Sequence, residues 1–414
     1  MEKKKVIIVG AGIVGVSAAI WLQREGHEVV LIDKAGPGEG ASHGNGGILA
    51  SCSIVPVTGP GLVSKAPRML LDPNQPLFVK WRYLPKLMPW LVRYLSHANK
   101  ADTQRIASAL APIIGDSLND HLALATRTRA EKWITPSDFL YMYNDRRHFH
   151  DDAFTWSLRK AHGFDWEELE GDAFKQYDPA FADDQGFAAK LPGHGHITDP
   201  GRYVKDLAAH VESQGGGIIH SEVVGFVREN GAVTGVLVGG DAIACDEVII
   251  AAGARSKPLC KQLGLDIPLE SERGYHLELV EPNMMPRAPV MVSSGKFVVT
   301  PMDGRLRLAG IVEYGGLEAK ASRGPLKLLR QKIQSVMPGL AWGETVEWMG
   351  HRPVPADSIP LIGKVPGTSN AWLGFGHHHI GLTGGPKTGR ILSQLAAGKK
   401  PNIDLTPYAP SRFQ

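Results

Sequence analysis

Residues 6–15 read Val6-Ile7-Ile8-Val9-Gly10-Ala11-Gly12-Ile13-Val14-Gly15, a short apolar run that leads directly into a glycine pattern. Four consecutive apolar residues are typical of a buried parallel strand. In the glycine pattern, Gly10 allows a tight turn, Gly12 lets the backbone approach a pyrophosphate, and Gly15 lets a helix pack closely on the strand. The helix that begins here would direct free N–H groups at phosphates. The stretch therefore predicts a dinucleotide-binding βαβ unit.

A second strand that ends at an acidic residue completes the unit. Helical spacing runs from Val16 to Arg24, Gly26 ends the helix, and residues 28–32 form the next apolar strand, which Asp33 closes. The Asp33 carboxylate would accept hydrogen bonds from an adenosine ribose, and its charge disfavours a 2′-phosphate. The full order of strand, glycines, helix, strand and acid is specific for a dinucleotide, but it does not separate FAD from NAD.

Composition excludes several classes of protein. The 414 residues are 43% hydrophobic and 21% charged, and 45 basic against 42 acidic residues give a net charge of +3, with both signs scattered. Such a chain is long enough for two domains and does not suggest nucleic-acid binding. We find no membrane-spanning run. Three dispersed cysteines (Cys52, Cys245, Cys260) fit neither a disulfide framework nor a zinc site and favour a reducing compartment.

Further along the chain, helical and strand patterns alternate. Apolar spacing predicts one long helix over about 103–125, and Asp199-Pro200 predicts the start of another that runs to Ser213. Strands are predicted over 218–226, 233–238 and 247–251. The chain then returns to strand, glycine-rich loop and helix over 371–397.

Several ordered segments carry a family resemblance. They are the N-terminal unit with Asp33, Ala41-Ser42-His43-Gly44-Asn45-Gly46-Gly47, residues 246–254, Arg273-Gly274-Tyr275, residues 351–363 and residues 376–383. In this order they make the chain similar to FAD-dependent amine oxidoreductases of the D-amino acid oxidase type. Within that family it most resembles the small bacterial D-amino acid dehydrogenases and the glycine/sarcosine oxidase branch.

The resemblance implies a mixed α/β fold with two interleaved domains. A Rossmann-like FAD-binding domain would combine 1–60, 185–265 and 345–414. A substrate-binding domain of mixed or antiparallel sheet plus helices would combine 61–184 and 266–344.

The resemblance also implies FAD rather than free NAD, held without a covalent bond. The 41–47 loop would lie by the pyrophosphate and flavin, Val223 would contact the adenine, and the C-terminal loop would border the isoalloxazine ring. The residues expected to hold the cofactor are Gly10, Gly12, Ile13, Val14, Gly15, Asp33, Lys34, Ala41, Ser42, His43, Asn45, Gly46, Gly47, Val223, Ala252, Gly253, His377, Gly381, Leu382 and Thr383.

For the substrate, Arg352 matches the family's carboxylate-binding arginine, a role that suits a bidentate guanidinium. Tyr275 is either a wall of the substrate site and second carboxylate donor or a core tyrosine, and His276 is a weaker candidate. His379 stands where some glycine-oxidase-like members of the family carry arginine. An imidazole there would either favour an acidic or polar substrate or serve as proton acceptor for the amine. Three histidines in tandem at 377–379 diverge in a loop with no acidic residue beside them, so no metal site is expected.

The leading functional hypothesis is oxidative deamination of a D-amino acid or cyclic D-imino acid, with hydride passing from Cα to flavin N5 and electrons then to a quinone or other acceptor. Three alternatives stay open: a glycine- or sarcosine-type oxidase that uses oxygen, a 2-hydroxy-acid dehydrogenase, and a flavoprotein subunit of a larger amine dehydrogenase. We expect a cytoplasmic protein. The aromatic and basic stretch over 78–94 is expected to form a packed helical cap of the substrate domain; its contact with the inner face of the cell membrane is the alternative that stays open.

Overall fold

The computed structural model describes residues 2–64, 66, 72, 75–182 and 185–414. The strands are β1 (Lys5–Val9), β2 (Glu28–Asp33), β3 (Leu77–Val79), β4 (Ile134–Tyr143), β5 (Glu167–Glu170), β6 (Phe187–Ile197), β7 (Gly217–His220), β8 (Val223–Glu229), β9 (Ala232–Val238), β10 (Asp241–Ala244), β11 (Glu247–Ile250), β12 (Leu269–Val280), β13 (Val290–Val292), β14 (Phe297–Met302), β15 (Arg305–Tyr314), β16 (Thr345–Pro355), β17 (Leu361–Lys364) and β18 (Ala371–Phe375). The α-helices are α1 (Ile13–Arg24), α2 (Leu84–Ser96), α3 (Lys100–Ile114), α4 (Ser117–Ala125), α5 (Arg146–Asp151), α6 (Ala153–Ala161), α7 (Asp172–Tyr177), α8 (Pro200–Ser213), α9 (Ser256–Gln262), α10 (Arg323–Val336) and α11 (Gly381–Ala396).

The first sheet is the predicted dinucleotide-binding sheet. Its strand order is β17-β18-β11-β1-β2-β7, and all neighbours pair in parallel except β17 with β18. Helices α1, α8 and α11 pack on it in one apolar core. A smaller antiparallel sheet, β10-β9-β8, contributes to a second core together with α9. Strands buried on both faces explain the continuous apolar runs in the sequence.

The second sheet is larger and mostly antiparallel, with the order β16-β12-β15-β14-β13-β4-β6-β5, and β3 pairs with β15. Helix α10 packs its apolar residues Leu326, Leu329 and Ile333 into the core of this sheet. Helix α2 packs with Tyr314 and Val354 in a separate cluster. These three sheets, with their helices, confirm the expected mixed α/β fold.

Strand pairing refines the interleaving of the two sheets. Residues 187–197 and 345–355, which the predicted FAD-binding segments include, form β6 and β16 of the larger sheet. The predicted boundaries at 185 and 345 thus assign two strands of the larger sheet to the FAD-binding segments. The division into cofactor and substrate domains stays a prediction.

The prediction of a single helix over 103–125 is wrong. It is broken at Gly115 and Asp116 into α3 and α4. The break lets α4 approach α11, where the Ser117 hydroxyl donates to the Thr383 carbonyl at 2.8 Å. Both halves contribute to the core of the first sheet.

Candidate active site

The turn between β1 and α1 has the geometry that the glycine pattern predicts. Gly10 has a φ of +109°, and a Cβ there would lie 2.5 Å from the Ala251 carbonyl oxygen. On Gly15, a Cβ would lie 2.0 Å from the Gly10 oxygen. A Cβ on Gly12 would meet only the Ser42 hydroxyl, at 3.3 Å. Gly10 and Gly15 are thus required by the protein's own packing, whereas Gly12 keeps space open for a ligand.

The N-terminus of α1 faces this space, and its N-cap residue, Gly12, has no side chain that could cap it. The amide of Ile13 donates to the Ser42 hydroxyl at 3.0 Å, which ties the 41–47 loop to the first turn. The helix start also offers the N–H donors of its first turn and a partial positive charge. This end of the cleft therefore suits a phosphate group.

Asp33, at the end of β2, is held by the backbone of the neighbouring loops. Its Oδ2 accepts from the Ala11 amide at 2.9 Å, and its Oδ1 accepts from the amides of Ala35 and Gly36 at 2.9 and 3.1 Å. A carboxylate has about four lone-pair sites, so acceptor capacity remains for ribose hydroxyls.

The 41–47 loop is fastened from beneath by a buried arginine. Arg307, 1% exposed, donates through Nη1 to the carbonyl oxygens of His43 and Asn45. Its Nε and Nη2 donate to the Glu278 carboxylate at 2.9 and 2.5 Å. Sequence reasoning missed both residues, because they lie on β15 and β12, far from the loop in sequence.

These parts border one cavity of 1340 Å³. That volume exceeds the range of about 300–1,000 Å³ typical for one small ligand, so it has room for a dinucleotide and a substrate together. The predicted cofactor residues that line it are Gly10, Gly12, Ile13, Val14, Asp33, Lys34, Ala41, Ser42, Asn45, Gly46, Val223, Ala252, Gly253, His377, Gly381, Leu382 and Thr383.

Three predicted cofactor residues do not line the cavity. Gly15 packs against the turn, as described. The His43 ring points behind the loop toward Gly201 and Trp348, with ring centroids 6.0 Å apart in the latter pair. Gly47 has a φ of +78°, and a Cβ there would lie 2.7 Å from the Ile197 oxygen. His43 and Gly47 therefore shape the loop and do not face a ligand.

The C-terminal loop brings a second helix start to the cavity. Helix α11 begins at Gly381 with no side-chain cap. Beside it, His377 is buried, and its Nε2 lies 2.9 Å from the Thr388 hydroxyl. Burial lowers the pKa of His377 to about 3. A neutral imidazole and a positive helix end thus border this part of the cavity.

Arg352 lies on β16 and faces the cavity, as expected for a carboxylate anchor. Its Nη1 donates to Glu272 Oε1 on β12 at 2.7 Å. Its guanidinium crosses Gly274, where a Cβ would lie 2.6 Å from the Arg352 Cζ. No hydrogen bond joins its Nε or Nη2 to another of the described residues. Glu272 thus orients the guanidinium while donors remain for a ligand.

Tyr275 and His276, both predicted at the substrate site, do not line the cavity. Side chains alternate along β12, so Glu272 and Gly274 face the cavity and Tyr275 faces the opposite side. There the Tyr275 hydroxyl donates to Glu313 Oε2 at 2.7 Å, within a buried core. The placement of Tyr275 as a wall is therefore wrong, and the core alternative holds. His276 donates to the Gly44 carbonyl at 3.1 Å and stacks on Trp348, so it supports the loop.

An apolar wall, which the sequence did not indicate, extends the cavity beyond Arg352. Its side chains come from α2, β3, β15 and nearby loops. They are Leu62, Leu77, Val79, Leu84, Leu87, Leu91, Tyr94, Leu95, Val312, Tyr314 and Leu317. Tyr314 pairs with Glu272 across β15 and β12, and Glu272 pairs with Arg352 across β12 and β16, which joins the wall to the arginine.

His378 and His379 lie between Arg352 and the loop that follows β16. His378 Nε2 is 3.0 Å from the Ser358 carbonyl oxygen, and His378 Nδ1 is 3.0 Å from His379 Nδ1. His379 lines the cavity beside Arg352. The pKa of His379 is lowered chiefly by burial, and further by the neighbouring His378 and by the charge of Arg352. Among the described residues, no group of His, Cys, Asp and Glu is arranged to hold a metal ion.

Comparison with known proteins identifies the family. A family model described as DAO, FAD dependent oxidoreductase, matches residues 5–395. The chain belongs to this family. It is 38% identical over 419 residues to a D-amino-acid oxidase of Bradyrhizobium diazoefficiens, covering 100% of this chain and 99% of that protein. It is 27% identical over 420 residues to a D-amino acid dehydrogenase of Allorhizobium ampelinum, covering 99% and 98%.

The fold agrees with the DAO family assignment. The solved structure of glycine oxidase from Geobacillus kaustophilus superposes with a TM-score of 0.76 at 20% identity, covering 100% of this chain and 99% of that chain. The DAO family is FAD-dependent, so the chain is an FAD-dependent oxidoreductase. The open space beside Gly12, the starts of α1 and α11 at the cavity and the Asp33 carboxylate that borders it fit that cofactor.

No helix within the described residues has the length and apolar character needed to cross a membrane.

Proposed function

We propose that this chain oxidises the α-amine of D-amino acids, including cyclic imino acids, to an imine that water hydrolyses to a 2-oxo acid. One observation carries the proposal: Arg352 presents unpaired guanidinium donors to a cavity that holds the FAD-binding loops at one end and an apolar wall at the other. The names of the two relatives above, D-amino-acid oxidase and D-amino acid dehydrogenase, support the substrate class.

Arg352 would bind the substrate carboxylate, because a guanidinium edge matches two carboxylate oxygens. The ion pair with Glu272 restrains the guanidinium before the substrate arrives. Fixing the carboxylate limits where Cα can lie, and such alignment is a large part of rate enhancement.

The apolar wall favours a substrate with an apolar side chain over glycine. Leu87 is 1% exposed and Tyr94 5% exposed, and both pack with Tyr314 on the cavity side of α2. A leucine- or phenylalanine-sized side chain would exclude water there, and each buried methylene would contribute about 0.8 kcal/mol to binding.

FAD, when bound, would supply the hydride acceptor for the bond broken at Cα. The chain's own residues would hold it through the N-terminal glycine turn, Asp33, the 41–47 loop, Val223 and the C-terminal loop. The start of α11 places a positive dipole end at the cavity, where it would stabilise negative charge. The apolar wall excludes water from the reacting groups.

We further propose a quinone or oxygen as electron acceptor and a cytoplasmic location, without nucleic-acid partners. The free state of Cys52, Cys245 and Cys260 supports a reducing compartment. The exposed side chains Trp81, Met88 and Val92 on and beside α2 leave room for peripheral membrane contact.

The test is anaerobic bleaching of the purified holoenzyme's flavin absorbance. The panel contains D-leucine, D-phenylalanine, D-proline, their L-enantiomers, glycine, sarcosine and the matching 2-hydroxy acids. We expect D-leucine or D-phenylalanine to bleach the flavin fastest, and readmitted air or a soluble quinone then identifies the acceptor. Bleaching by glycine or 2-hydroxy acids but by no D-amino acid would overturn the proposal.

A further inference from the structure

The tandem histidines form a hydrogen-bond chain whose direction is fixed at one end. His378 Nε2 lies 3.0 Å from the Ser358 carbonyl oxygen, which can only accept a hydrogen bond. Nε2 of His378 therefore carries the proton. In a neutral imidazole the other ring nitrogen is then an acceptor, so His378 Nδ1 accepts from Nδ1–H of His379 at 3.0 Å.

This direction determines the state of the far nitrogen of His379. With its proton on Nδ1, a neutral His379 has a bare lone pair on Nε2. No hydrogen bond joins His379 Nε2 to another of the described residues, and the atom is not fully buried. Because the His379 ring lines the cavity, Nε2 is available to a ligand there.

Backbone strain at Ser358 and His378 supports a functional role for this hydrogen-bond chain. His378 has a φ of +37° and Ser358 a φ of +58°, in the left-handed region that residues other than glycine rarely adopt. Such conformations cost free energy, and they cluster at functional sites, where surrounding contacts hold them. Here the strained residues are the two that the His378–Ser358 hydrogen bond joins.

We infer that His379 Nε2 accepts a hydrogen bond from the substrate's α-amine, and that His378 is the positioning residue that keeps His379 in this tautomer. The inference rests on the proposed function. A bare lone pair repels carboxylate oxygens and pairs with an N–H donor, so His379 complements Arg352 and does not duplicate it. The two residues together would orient both polar groups of an α-amino acid.

The electrostatic surroundings keep His379 neutral, so that it accepts a hydrogen bond and does not carry a positive charge. Burial, followed by the neighbouring His378 and Arg352, lowers the pKa of His379 well below its ordinary value. Burial also lowers the pKa of His378, although Glu272 and Asp357 act in the opposite direction. His379 thus stays neutral at working pH and orients the amine nitrogen.

The experiment compares two ligands that differ only in the amine. D-leucine carries both groups, whereas 4-methylpentanoate has the same skeleton and carboxylate without the amine; D-phenylalanine and 3-phenylpropanoate form a second pair. The acids are titrated against the holoenzyme by the change in flavin absorbance. The amino acids are followed by anaerobic bleaching, which gives an apparent Kd and a limiting rate.

Two isosteric substitutions give a matched control at each histidine. In His379→Gln the amide oxygen can take the place of Nε2, whereas His379→Asn places its amide near Nδ1 and leaves the Nε2 position empty. His378→Asn can keep an acceptor for His379 and tolerates the left-handed backbone, whereas His378→Leu removes the acceptor.

We expect His379→Asn and His378→Leu to lower the bleaching rate divided by Kd at least tenfold for the amino acids and to leave the Kd of the matching acids within twofold. His379→Gln and His378→Asn should recover much of the loss. If the amino acids and the matching acids bound more weakly by the same factor, His379 would contact the carboxylate or support the fold. If His379→Asn and His378→Leu both left the amino-acid kinetics unchanged, His379 would not contact the substrate. Either result overturns the inference.

A different result would contradict the proposed function itself: no amino acid bleaches the wild-type flavin, although the carboxylic acids still bind. The inference then falls with it. Selective ¹⁵N labelling of histidine gives a further readout, because the chemical shifts report which ring nitrogen carries the proton. A proton on Nε2 of His379 in the free holoenzyme would contradict the hydrogen-bond direction.

Discussion

Arg352 and Glu272 lie opposite each other on β16 and β12, and the Arg352 Nη1 donates to Glu272 Oε1 at 2.7 Å. Glu272 is 6% exposed, so the arginine is the counterion that lets a carboxylate remain beside the cavity. A substrate carboxylate would share the same guanidinium. With substrate bound, two carboxylates would therefore share the positive charge of Arg352. The substitutions below separate the role of Arg352 from that of Glu272.

Replacing the guanidinium should abolish alignment of the substrate without releasing FAD. In Arg352→Met the anchor is lost, and we expect kcat/KM for D-leucine to fall by roughly a hundredfold or more. Steady-state kinetics and the ratio of flavin to protein absorbance measure both effects. The exposed Arg228 provides the control Arg228→Met, which should match wild type. Unchanged turnover in Arg352→Met would exclude it as the anchor.

Neutralising Glu272 should act in the opposite direction on ligand binding. Glu272→Gln keeps an acceptor for Arg352 but removes the competing negative charge. At an effective dielectric constant near 20, two like charges about 6 Å apart repel each other by about 3 kcal/mol, so the Kd of 4-methylpentanoate should fall at least roughly tenfold. Titration by flavin absorbance measures it. Weaker binding would show that Glu272 acts mainly by orienting the arginine.

The N-terminal glycine turn was predictable because its determinants are contiguous in the sequence. Gly10, Gly12 and Gly15 stand within six residues of each other. Gly10 packs against Ala251 and Gly15 packs against Gly10, whereas Gly12 leaves open space. The parallel pairing of β1 with β2 follows from that unit. Arg352 and His379 came from the family resemblance, which aligned short segments far apart in sequence.

The substrate half was less predictable because it depends on which face of a strand or helix meets the cavity. Tyr275 follows Gly274 in sequence, yet alternation along β12 turns it into the core; the apolar residues at 275, 277 and 279 carried that signal. Helix α2 was expected as a packed cap or a membrane-facing segment, but its sequence did not indicate that Leu87 and Tyr94 line the cavity. The Trp90 side chain, which donates to the Val354 carbonyl at 3.1 Å, attaches this helix to β16.

Gly274 should be needed for the position of the Arg352 side chain. A Cβ there would lie 2.6–2.8 Å from the Cζ, Nη2 and Nε atoms of Arg352, so the guanidinium would have to move. We expect Gly274→Ala to raise KM for D-leucine roughly ten- to a hundredfold and to leave FAD content unchanged. Gly217→Ala on β7, where a Cβ meets Val30 at an ordinary 3.6 Å, is the control. Wild-type KM in Gly274→Ala would mean that the arginine tolerates the shift.

Gly12 should be needed for FAD and not for the protein's own packing. The γ-carbons of Gly12→Val would occupy the space beside the helix start, which we assign to the pyrophosphate. The purified variant should be colourless or lose flavin on dialysis, while its far-ultraviolet circular dichroism stays native. Gly217→Val on the same sheet should keep full colour. A fully yellow Gly12→Val protein would contradict the assignment of the phosphate loop.

Buried histidines should make the folded state sensitive to mild acid. Burial lowers the pKa of His377 to about 3 and the pKa values of His121 and His196 to about 4. In the unfolded chain these side chains titrate near their ordinary value of about 6.5. Between pH 6.5 and about 4 the unfolded state therefore binds more protons, and the free energy of unfolding falls as the pH falls.

Each such histidine contributes a slope of up to about 1.4 kcal/mol per pH unit within that window. Buried Asp120 and Asp178 act against it at the acid end, because burial raises their pKa values. Urea unfolding of the holoenzyme at pH 7.5, 6.5 and 5.5, with FAD in excess, measures the slope. His196→Asn, which keeps an amide near Ser137, should make the slope shallower, whereas the exposed control His150→Asn should not. A stability that is flat from pH 7.5 to 5.5 would show that these histidines are protonated in the folded protein.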